Sequence, residues 1–484
     1  MSSDLDALRN AVQEIWEASE STGLDPFPIH FDIVPASVMY EIGAYGLPGR
    51  FSHWTHGKAF HQMKTMYDYG LSKIYELIIN TNPAQAFLME ANSLIQNKLV
   101  IAHVIGHSDF FKRNAYFQHT DRQMAETAGV TAERIRAYER EHGEKVVEEF
   151  LDAVLSIQEH IDPHLRMRRR DGSAPAEPPR RRTTPYDDLW RMREKEEDAP
   201  AAPRPRIPEE PEKDLLLFLL EYAPELQDWQ RDVLNIVRNE MIYFLPQMQT
   251  KTMNEGWASY WHSRILREMD LTAEEHLEFT RLHAGVLSPS PRGTSINPYY
   301  VGFKIFEDIE RRWNGDLTEE ERREYRETNF GKEWPHAGKG REKMFEVREM
   351  ENDVSFLRNY LTRKLVDELD MYIYRKEGNE WVVVEKDWRK IRDSLVESMT
   401  NFGFPYLVVQ DGDYRRAREL LLHHSFDGRE LDPNYGFKTL RYLYQLWGRP
   451  VHLETTVDDQ PVLWTYDGEQ ELVNQKPAQG EQAP

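Results

Sequence analysis

The sequence predicts a mainly α-helical protein: a large helical N-terminal domain followed by a smaller α+β C-terminal domain. Two observations lead to this fold class. Apolar residues recur at steps of three and four over residues 1–164 and again over 215–340, which is the spacing of amphipathic helices. Short β-prone runs bounded by turn residues follow within residues 341–472. The polar tail, 473–484, is expected to be flexible.

Composition limits the class of protein further. A chain of 484 residues exceeds one usual hydrophobic core, and its 40% hydrophobic and 12% aromatic content is ample for packed domains. The net charge of -22 disfavours nucleic acid and anionic membranes as partners. Because no cysteine is present, a metal ion would have to bind His, Asp or Glu. We expect a cytoplasmic protein, since neither a membrane span nor a signal peptide is recognisable.

The N-terminal part is predicted to be nearly all helical. A first helix, ending near Gly23, is indicated by apolar residues at helical spacing, namely Leu5, Leu8, Val12, Ile15 and Trp16. The stretches 67–80 and 85–114 contain almost no Pro or Gly and are predicted to be helices as well. A further long helix is predicted from Thr131, as its N-cap, to Val154.

Residues 165–214 differ sharply in composition from the segments on either side. Nine prolines lie between Pro175 and Pro211, mixed with arginine runs and acidic runs. Such a mixture cannot bury a continuous apolar face, so the segment is predicted to be a disordered insertion between the two parts of the helical domain.

Helical spacing resumes at Leu215 and continues to about residue 313, interrupted by a turn-rich loop at 288–302. One helix is then predicted from residue 342 to 365, and two β-prone runs, 369–374 and 381–384, are joined by a turn. Helices near 387–399 and 433–446 alternate with further β-prone runs at 405–409, 419–426, 451–455 and 462–466. This alternation indicates an α+β domain.

Two segments that lie far apart in the sequence supply candidate metal ligands. His103 and His107 are four residues apart, so on a helix both imidazoles lie on one face. Glu255 and His262 are seven residues apart, which is two helical turns. Two such helices packed together would present three nitrogens and one carboxylate, a ligand set that suits zinc. Iron or manganese would remain possible with more carboxylates.

Longer strings carry a family resemblance. The chain resembles the stage V sporulation protein R (SpoVR) family over nearly its whole length, the insertion excepted. The strings are Glu90-Ala-Asn-Ser-Leu94, Lys98-Leu-Val-Ile-Ala-His-Val-Ile-Gly-His-Ser-Asp-Phe-Phe-Lys112, Lys251-Thr-Met-Asn-Glu-Gly-Trp-Ala-Ser-Tyr-Trp-His262, Asn297-Pro-Tyr-Tyr-Val-Gly-Phe-Lys-Ile-Phe-Glu-Asp-Ile-Glu310 and Leu446-Trp-Gly-Arg-Pro-Val-His-Leu453. The resemblance implies a cytoplasmic protein linked to spore cortex formation. It also implies two partners, a PrkA-type serine protein kinase and a von Willebrand-like protein, but no established reaction.

A weaker resemblance concerns chemistry. Gluzincin metallopeptidases carry two histidines four apart on one helix and a Glu ligand on a later helix, and some share Glu-Gly-Trp-Ala-x-Tyr, as at residues 255–260. Their general base follows the first histidine, where this chain has Val104. Another group would therefore have to move the proton, and the candidates are Glu90, Glu240 and His283. His283 could instead be the fourth ligand in place of His262.

Three functions are compatible with these residues. The first is a zinc-dependent hydrolase of peptide or amide bonds, with His103, His107 and Glu255 as ligands. The second is a metal-dependent enzyme of another type, such as an oxidative enzyme, that uses iron or manganese; Glu90 and Glu240 as further ligands would favour it. The third is a non-catalytic regulatory partner of the PrkA-type kinase, in which the histidines are structural. The Glu-Gly-Trp-Ala string favours the first, because packing alone hardly explains it.

Overall fold

The computed structural model describes residues 2–68, 76–163, 207–289, 296–378 and 380–475. The chain forms two compact units, each built from two separate stretches of sequence. The first unit contains residues 1–137 and 243–404, and the second contains 138–242 and 405–484. Within the described ranges, no helix combines the length and the apolar character needed to cross a bilayer.

Helices make up most of the described chain. The first six are α1 Ser2–Ser21, α2 Ala36–Tyr45, α3 Trp54–Asp68, α4 Leu94–Arg113, α5 Met124–His142 and α6 Glu144–Leu155. Next come α7 Leu215–Tyr222, α8 Asp228–Gln249, α9 Lys251–Glu268, α10 Ala273–Val286, α11 Pro298–Trp313 and α12 Glu319–Thr328. The last five are α13 Gly340–Met350, α14 Asp353–Tyr360, α15 Arg363–Glu368, α16 Trp388–Met399 and α17 Pro433–Trp447. Short 3-10 helices span Ala115–Phe117 and Thr400–Gly403.

The strands form three sheets. In the first unit, β1 Ile29–Val34 pairs in parallel with β3 Ala84–Met89, which pairs antiparallel with β2 Glu76–Ile79. The hairpin of β4 Ile373–Glu377 and β5 Glu380–Glu385 also belongs to this unit. The second unit holds a five-stranded sheet of order β10-β9-β8-β7-β6. Its strands are β6 Leu407–Tyr414, β7 Glu419–His424, β8 Val451–Val457, β9 Gln460–Tyr466 and β10 Glu471–Gln475.

The helix α4 is the centre of the first unit. It starts in a capping box, in which Ser93 Oγ accepts from the amide of Gln96 and the Gln96 side chain accepts from the amide of Ser93. Lys112 and Arg113 stand in its last turn, where cations are favourable. Nearly every side chain from Leu99 to Phe111 is buried, because α1, α9 and the first sheet surround the helix. The polar groups within this stretch, His103 and His107 among them, therefore lie inside the unit.

Three helices of the first unit approach at backbone distance. A Cβ added to Gly106 of α4 would lie 2.8 Å from the Cα of Ala258 on α9. A Cβ on Gly256 of α9 would lie 2.3 Å from the carbonyl carbon of Gly302 on α11. Only glycine fits at such distances. Gly106 therefore sets the spacing of α4 and α9, and the glycines of the Glu-Gly-Trp-Ala and Asn-Pro-Tyr-Tyr-Val-Gly strings set the spacing of α9 and α11.

Packing in the second unit joins its sheet to α7 and α17. Asp214 accepts from the amide of Leu217 as the N-cap of α7 and is bonded to Arg238 at 2.7 Å. Phe218 of α7 stacks on Trp447 of α17 with ring centroids 5.6 Å apart. These apolar and capping contacts hold α7, which is too short to be stable alone, in its helical form.

The mainly helical class and the sheet-containing C-terminal domain are confirmed. The β-prone runs near 405–409, 419–426, 451–455 and 462–466 coincide with β6 to β9, and the turn of the predicted hairpin joins β4 to β5. The predicted insertion, 165–214, lies outside the described residues as far as 206. Of the predicted tail, 476–484 lies outside them as well.

Three local predictions were wrong. Residues 76–79 and 84–89 are strands rather than parts of helices, so the N-terminal part contains a sheet. Thr131 lies inside α5 and donates its hydroxyl to the carbonyl of Ala128, and the helical run breaks at Gly143, whose φ is 94°. The predicted helix 342–365 is divided into α13, α14 and α15 because Asn352 and Thr362 each cap a new helix.

Candidate metal centre

The helices α4 and α9 bring three of the predicted residues together. His103 and His107 project from one face of α4, and Glu255 projects from α9 towards both. The Oε2 atom of Glu255 lies 3.5 Å from Nε2 of His103 and 3.4 Å from Nε2 of His107. His103 is 1% exposed and His107 is 5% exposed, so the two imidazoles meet the carboxylate inside the unit.

A second carboxylate, from Glu76, completes the cluster and was not predicted. Glu76 is the first residue of β2, and its Oε1 lies 3.2 Å from Nε2 of His103. The sequence offered no spacing signal for it, because it stands 27 residues before His103 in a segment predicted to be helical. The one available sign was a lone carboxylate directly before the apolar run Leu77-Ile-Ile79.

The geometry of these four residues fits a metal ion. One ligand atom from each of Glu76, His103, His107 and Glu255 lies within 4.8 Å of the others. Metal–ligand bonds of about 2.1 Å in a tetrahedral site would place neighbouring ligand atoms about 3.4 Å apart, close to the separations here. Among the described residues, neither Nε2 of His103 nor Oε2 of Glu255 has a hydrogen-bond partner, although both atoms are buried. Such orphaned atoms are costly unless something binds them.

Hydrogen bonds orient both imidazoles towards the cluster. His107 Nδ1 donates to Oδ1 of Asn254, at 2.8 Å. His103 Nδ1 lies 2.8 Å from Nδ1 of His262, whose Nε2 lies 2.9 Å from Nδ1 of His283. With each ring donating to the next, the lone pair on Nε2 of His103 faces the cluster. A partner on the other ring nitrogen is typical of histidines that bind metals.

The predicted ligand His262 therefore stands behind the cluster. Both of its ring nitrogens are in contact with other histidines, and it offers no nitrogen to the four ligand atoms. Burial, followed by the charges of His103 and His283, lowers its pKa well below the usual range, which keeps the ring neutral. Burial also lowers the pKa of His283 to about 4. The structure thus places His262 and His283 as orienting groups for His103.

The two carboxylates of the cluster and His107 shift one another's pKa values. Burial alone would raise the pKa of Glu255, but His107 and His103 outweigh it and hold that pKa well below the usual range. Burial lowers the pKa of His107, yet Glu255 and Glu76 raise it more, so the net pKa is above normal. For Glu76 burial dominates and raises the pKa. The two carboxylates therefore differ, with Glu255 favouring its charged form more strongly.

Tyr299 closes one side of the cluster. Asn297 caps α11 by accepting from the amide of Tyr299, and Pro298 occupies the first turn. The Tyr299 ring stacks on His103 with centroids 5.9 Å apart. Burial and the neighbouring Glu255 and Glu76 raise the pKa of its hydroxyl, which therefore stays protonated and can donate to these carboxylates. The first turns of α11, which the sequence predicted to be part of a loop, thus both permit close helix packing through Gly302 and contribute a side chain to the site.

A cleft of about 920 Å³ opens beside the cluster, between α4 and α10. Glu76, His103 and Tyr299 contribute to its lining, whereas Glu255 and His107 do not. A molecule in the cleft would therefore contact the cluster through Glu76 and His103.

The structure separates the other predicted proton carriers from the cluster. Glu90 is exposed directly after β3 and is not among the four grouped residues. Glu240 is buried on α8 in the second unit and is likewise outside that group. His283 reaches His103 only through His262. Among the described residues, the carboxylates that do lie beside the two histidines are those of Glu255 and Glu76.

Comparisons with known proteins agree with the strings noted in the sequence. The family described as SpoVR like protein matches residues 2–404, and the SpoVR-like C-terminal domain matches residues 405–458. The uncharacterized protein YcgB of Escherichia coli (strain K12) is 30% identical in an alignment that is 483 residues long. This alignment covers 94% of the present chain and 92% of that protein. No solved structure matches the chain. The chain belongs to the SpoVR family.

Proposed function

We propose that this SpoVR protein is a zinc-dependent hydrolase of peptide or amide bonds. The observation that carries the proposal is the pair of buried, unpartnered atoms, Nε2 of His103 and Oε2 of Glu255, at the separations of a tetrahedral ligand set. His103, His107 and Glu255 would hold the ion. Zinc bound there would supply Lewis-acid activation of a water molecule and of the substrate carbonyl group.

Glu76 would move the proton, which Val104, at the position of the general base in gluzincins, cannot do. It lines the cleft, its side chain is 20% exposed, and it lies 3.2 Å from the first histidine. Its raised pKa suits a proton acceptor better than the lowered pKa of Glu255. Glu76 would accept a proton from the attacking water and deliver it to the leaving nitrogen. The carbonyl carbon thereby gains a bond to oxygen and loses its bond to nitrogen.

The site also contains an argument for a different metal. Two carboxylates with two histidines form a ligand set that iron or manganese accepts as well as zinc. If Glu76 were a fourth ligand, oxidative chemistry would become the better hypothesis. The metal that the protein carries when purified decides between the two.

Elemental analysis of the purified protein tests the proposal. We expect about one zinc ion per chain in the wild type, and its loss in His103→Ala and Glu255→Ala variants whose circular dichroism is unchanged. The matched control, His61→Ala, alters an exposed histidine of α3 and should keep the zinc. A metal-free wild type, purified without chelators, would refute the proposal and favour a non-catalytic partner of a PrkA-type kinase.

A Glu76→Gln variant tests the role of the second carboxylate. If Glu76 carries the proton and does not bind the metal, the variant should keep its zinc, whereas its hydrolysis of a peptide substrate should fall about 100-fold or more. Loss of zinc in this variant would instead make Glu76 a ligand. Glu90→Gln serves as the control, because Glu90 is exposed and outside the cluster.

A further inference from the structure

The cleft beside the metal cluster has a distinctive wall on α10. Aliphatic side chains of α10 line the cleft together with two from α4; they are Leu277, Leu282 and Val286 of α10 and Leu99 and Val100 of α4. Leu277 is 62% exposed, although a leucine on a helix usually faces the core. An apolar wall of this kind accommodates an aliphatic group and excludes water around it.

Three charged side chains of α10 line the same cleft. They are Glu274, Glu278 and Arg281. Arg281 follows Glu278 by three residues, a spacing at which an ion pair can form. Nevertheless, within the described ranges Arg281 makes no ion pair and no hydrogen bond. Its guanidinium is therefore available to a carboxylate in the cleft.

Within the described ranges, neither carboxylate of the wall is paired with a cation. Glu278 accepts a hydrogen bond from Ser93 Oγ at 2.9 Å, and Glu274 has no polar partner among the residues described. Other charges of the same helix are paired, since Glu275 binds Lys98 at 2.9 Å. The cleft side of α10 thus presents one positive and two negative side chains, which form no ion pair with one another in the part of the chain that the structure describes.

From this pattern we infer that the cleft binds a short zwitterionic peptide. Its carboxylate would contact Arg281, its ammonium group would contact Glu274 and Glu278, and an aliphatic side chain would lie against Leu277 and its apolar neighbours. The part of the cleft that is lined by Glu76 and His103 would then face a backbone amide of the bound peptide. This inference rests on the proposed hydrolase function, because it names the substrate class of the same site.

Binding of one peptide in four forms tests the inference. The probe is alanyl-leucyl-alanine with free termini, N-acetylated, C-amidated, or blocked at both ends. Affinities are measured by ligand-observed NMR on the full chain after chelator treatment, so that turnover cannot interfere. We expect the free peptide to bind about tenfold more tightly than either singly blocked form, as for hydrogen bonds to charged groups.

Variants assign each preference to its side chain. Arg281→Gln should abolish the difference between the free and C-amidated peptides and leave the effect of N-acetylation. Glu274→Gln combined with Glu278→Gln should do the reverse. The matched control, Arg9→Gln, removes an exposed arginine of α1 that is not in the cleft and should leave both preferences unchanged.

The outcomes separate this inference from the hydrolase proposal. Equal affinities for all four peptides, absence of binding, or a carboxylate preference that survives Arg281→Gln would overturn the inference. Terminus-dependent binding without hydrolysis after zinc loading would keep the cleft assignment and reject the hydrolase. Hydrolysis that ignores the termini would keep the hydrolase and reject the zwitterionic substrate.

Discussion

Replacing Gly256 with alanine tests whether backbone contact between α9 and α11 builds the site. The added Cβ would lie 2.3 Å from the carbonyl carbon and 2.4 Å from the Cα of Gly302. Ordinary contact begins at 3.4 Å, so the two helices would have to move apart by about 1.1 Å. Because both neighbours are backbone atoms, no side chain can rotate away to relieve the clash.

The expected cost follows from two opposing effects. Overpacking of a core costs about 1 to 3 kcal/mol, and the rigid backbone places this substitution near the upper limit. Alanine recovers up to about 1 kcal/mol of helix propensity relative to glycine. The first unit has about 300 residues, so its unfolding entropy is about 0.6 kcal/mol per K and a net loss of about 2 kcal/mol lowers the melting temperature by roughly 3 °C. Since Glu255 is the adjacent residue on α9, the metal content should fall as well.

Circular dichroism melting of the metal-free proteins measures the loss of stability, and elemental analysis of the same proteins as purified, before the metal is removed, measures the metal content. Gly57→Ala is the matched control, because its added Cβ meets nothing within 4 Å on α3. That variant should be as stable as the wild type or slightly more stable. If Gly256→Ala melted at the wild-type temperature with its zinc retained, the reasoning on helix spacing would be refuted.

Three further predictions concern other buried polar groups. His262→Ala should weaken zinc binding about 10- to 100-fold by freeing the ring of His103, whereas the exposed His276→Ala control should not; competition with a zinc chelator measures this. The pKa of buried His160 is lowered to about 4 from 6.5, so its neutral ring contributes stability above pH 6.5 that is lost as the pH falls towards 4. Between pH 7 and pH 4, the free energy of unfolding of His160→Gln should therefore fall by about 3 kcal/mol less than that of the wild type, as measured by urea titration at both pH values. The same fall in both proteins would contradict this prediction. Arg348→Met should cost about 3 to 5 kcal/mol, because it leaves a buried carboxylate 3.2 Å away without its cation. Adding Asp109→Asn should recover part of that loss, and a purely additive double variant would argue against the pairing.

Part of the fold could be predicted because its signals are local. The strands of the second unit follow from short β-prone runs between turn residues, and the prediction located four of the five. Strand β3 of the first unit, Ala84–Met89, was missed because it contains no β-branched residue. A short apolar run of that kind is compatible with helix or strand until its partners are known. Its pairing with β1, more than 50 residues earlier, decided the outcome.

The candidate site divides in the same way. The sequence by itself determined that His103 and His107 share a helix face, because helical periodicity is a local property. It also pointed to Glu255 on a second helix, through the Glu-Gly-Trp-Ala string, although packing against α11 accounts for the glycine of that string. Only the tertiary structure brought Glu76 from a sheet edge to these histidines and placed His262 behind His103 instead of at the cluster. The physical reason is that ligand sets and hydrogen-bond chains depend on distances between elements, which the packing of α4, α9 and β2 decides and no local spacing encodes.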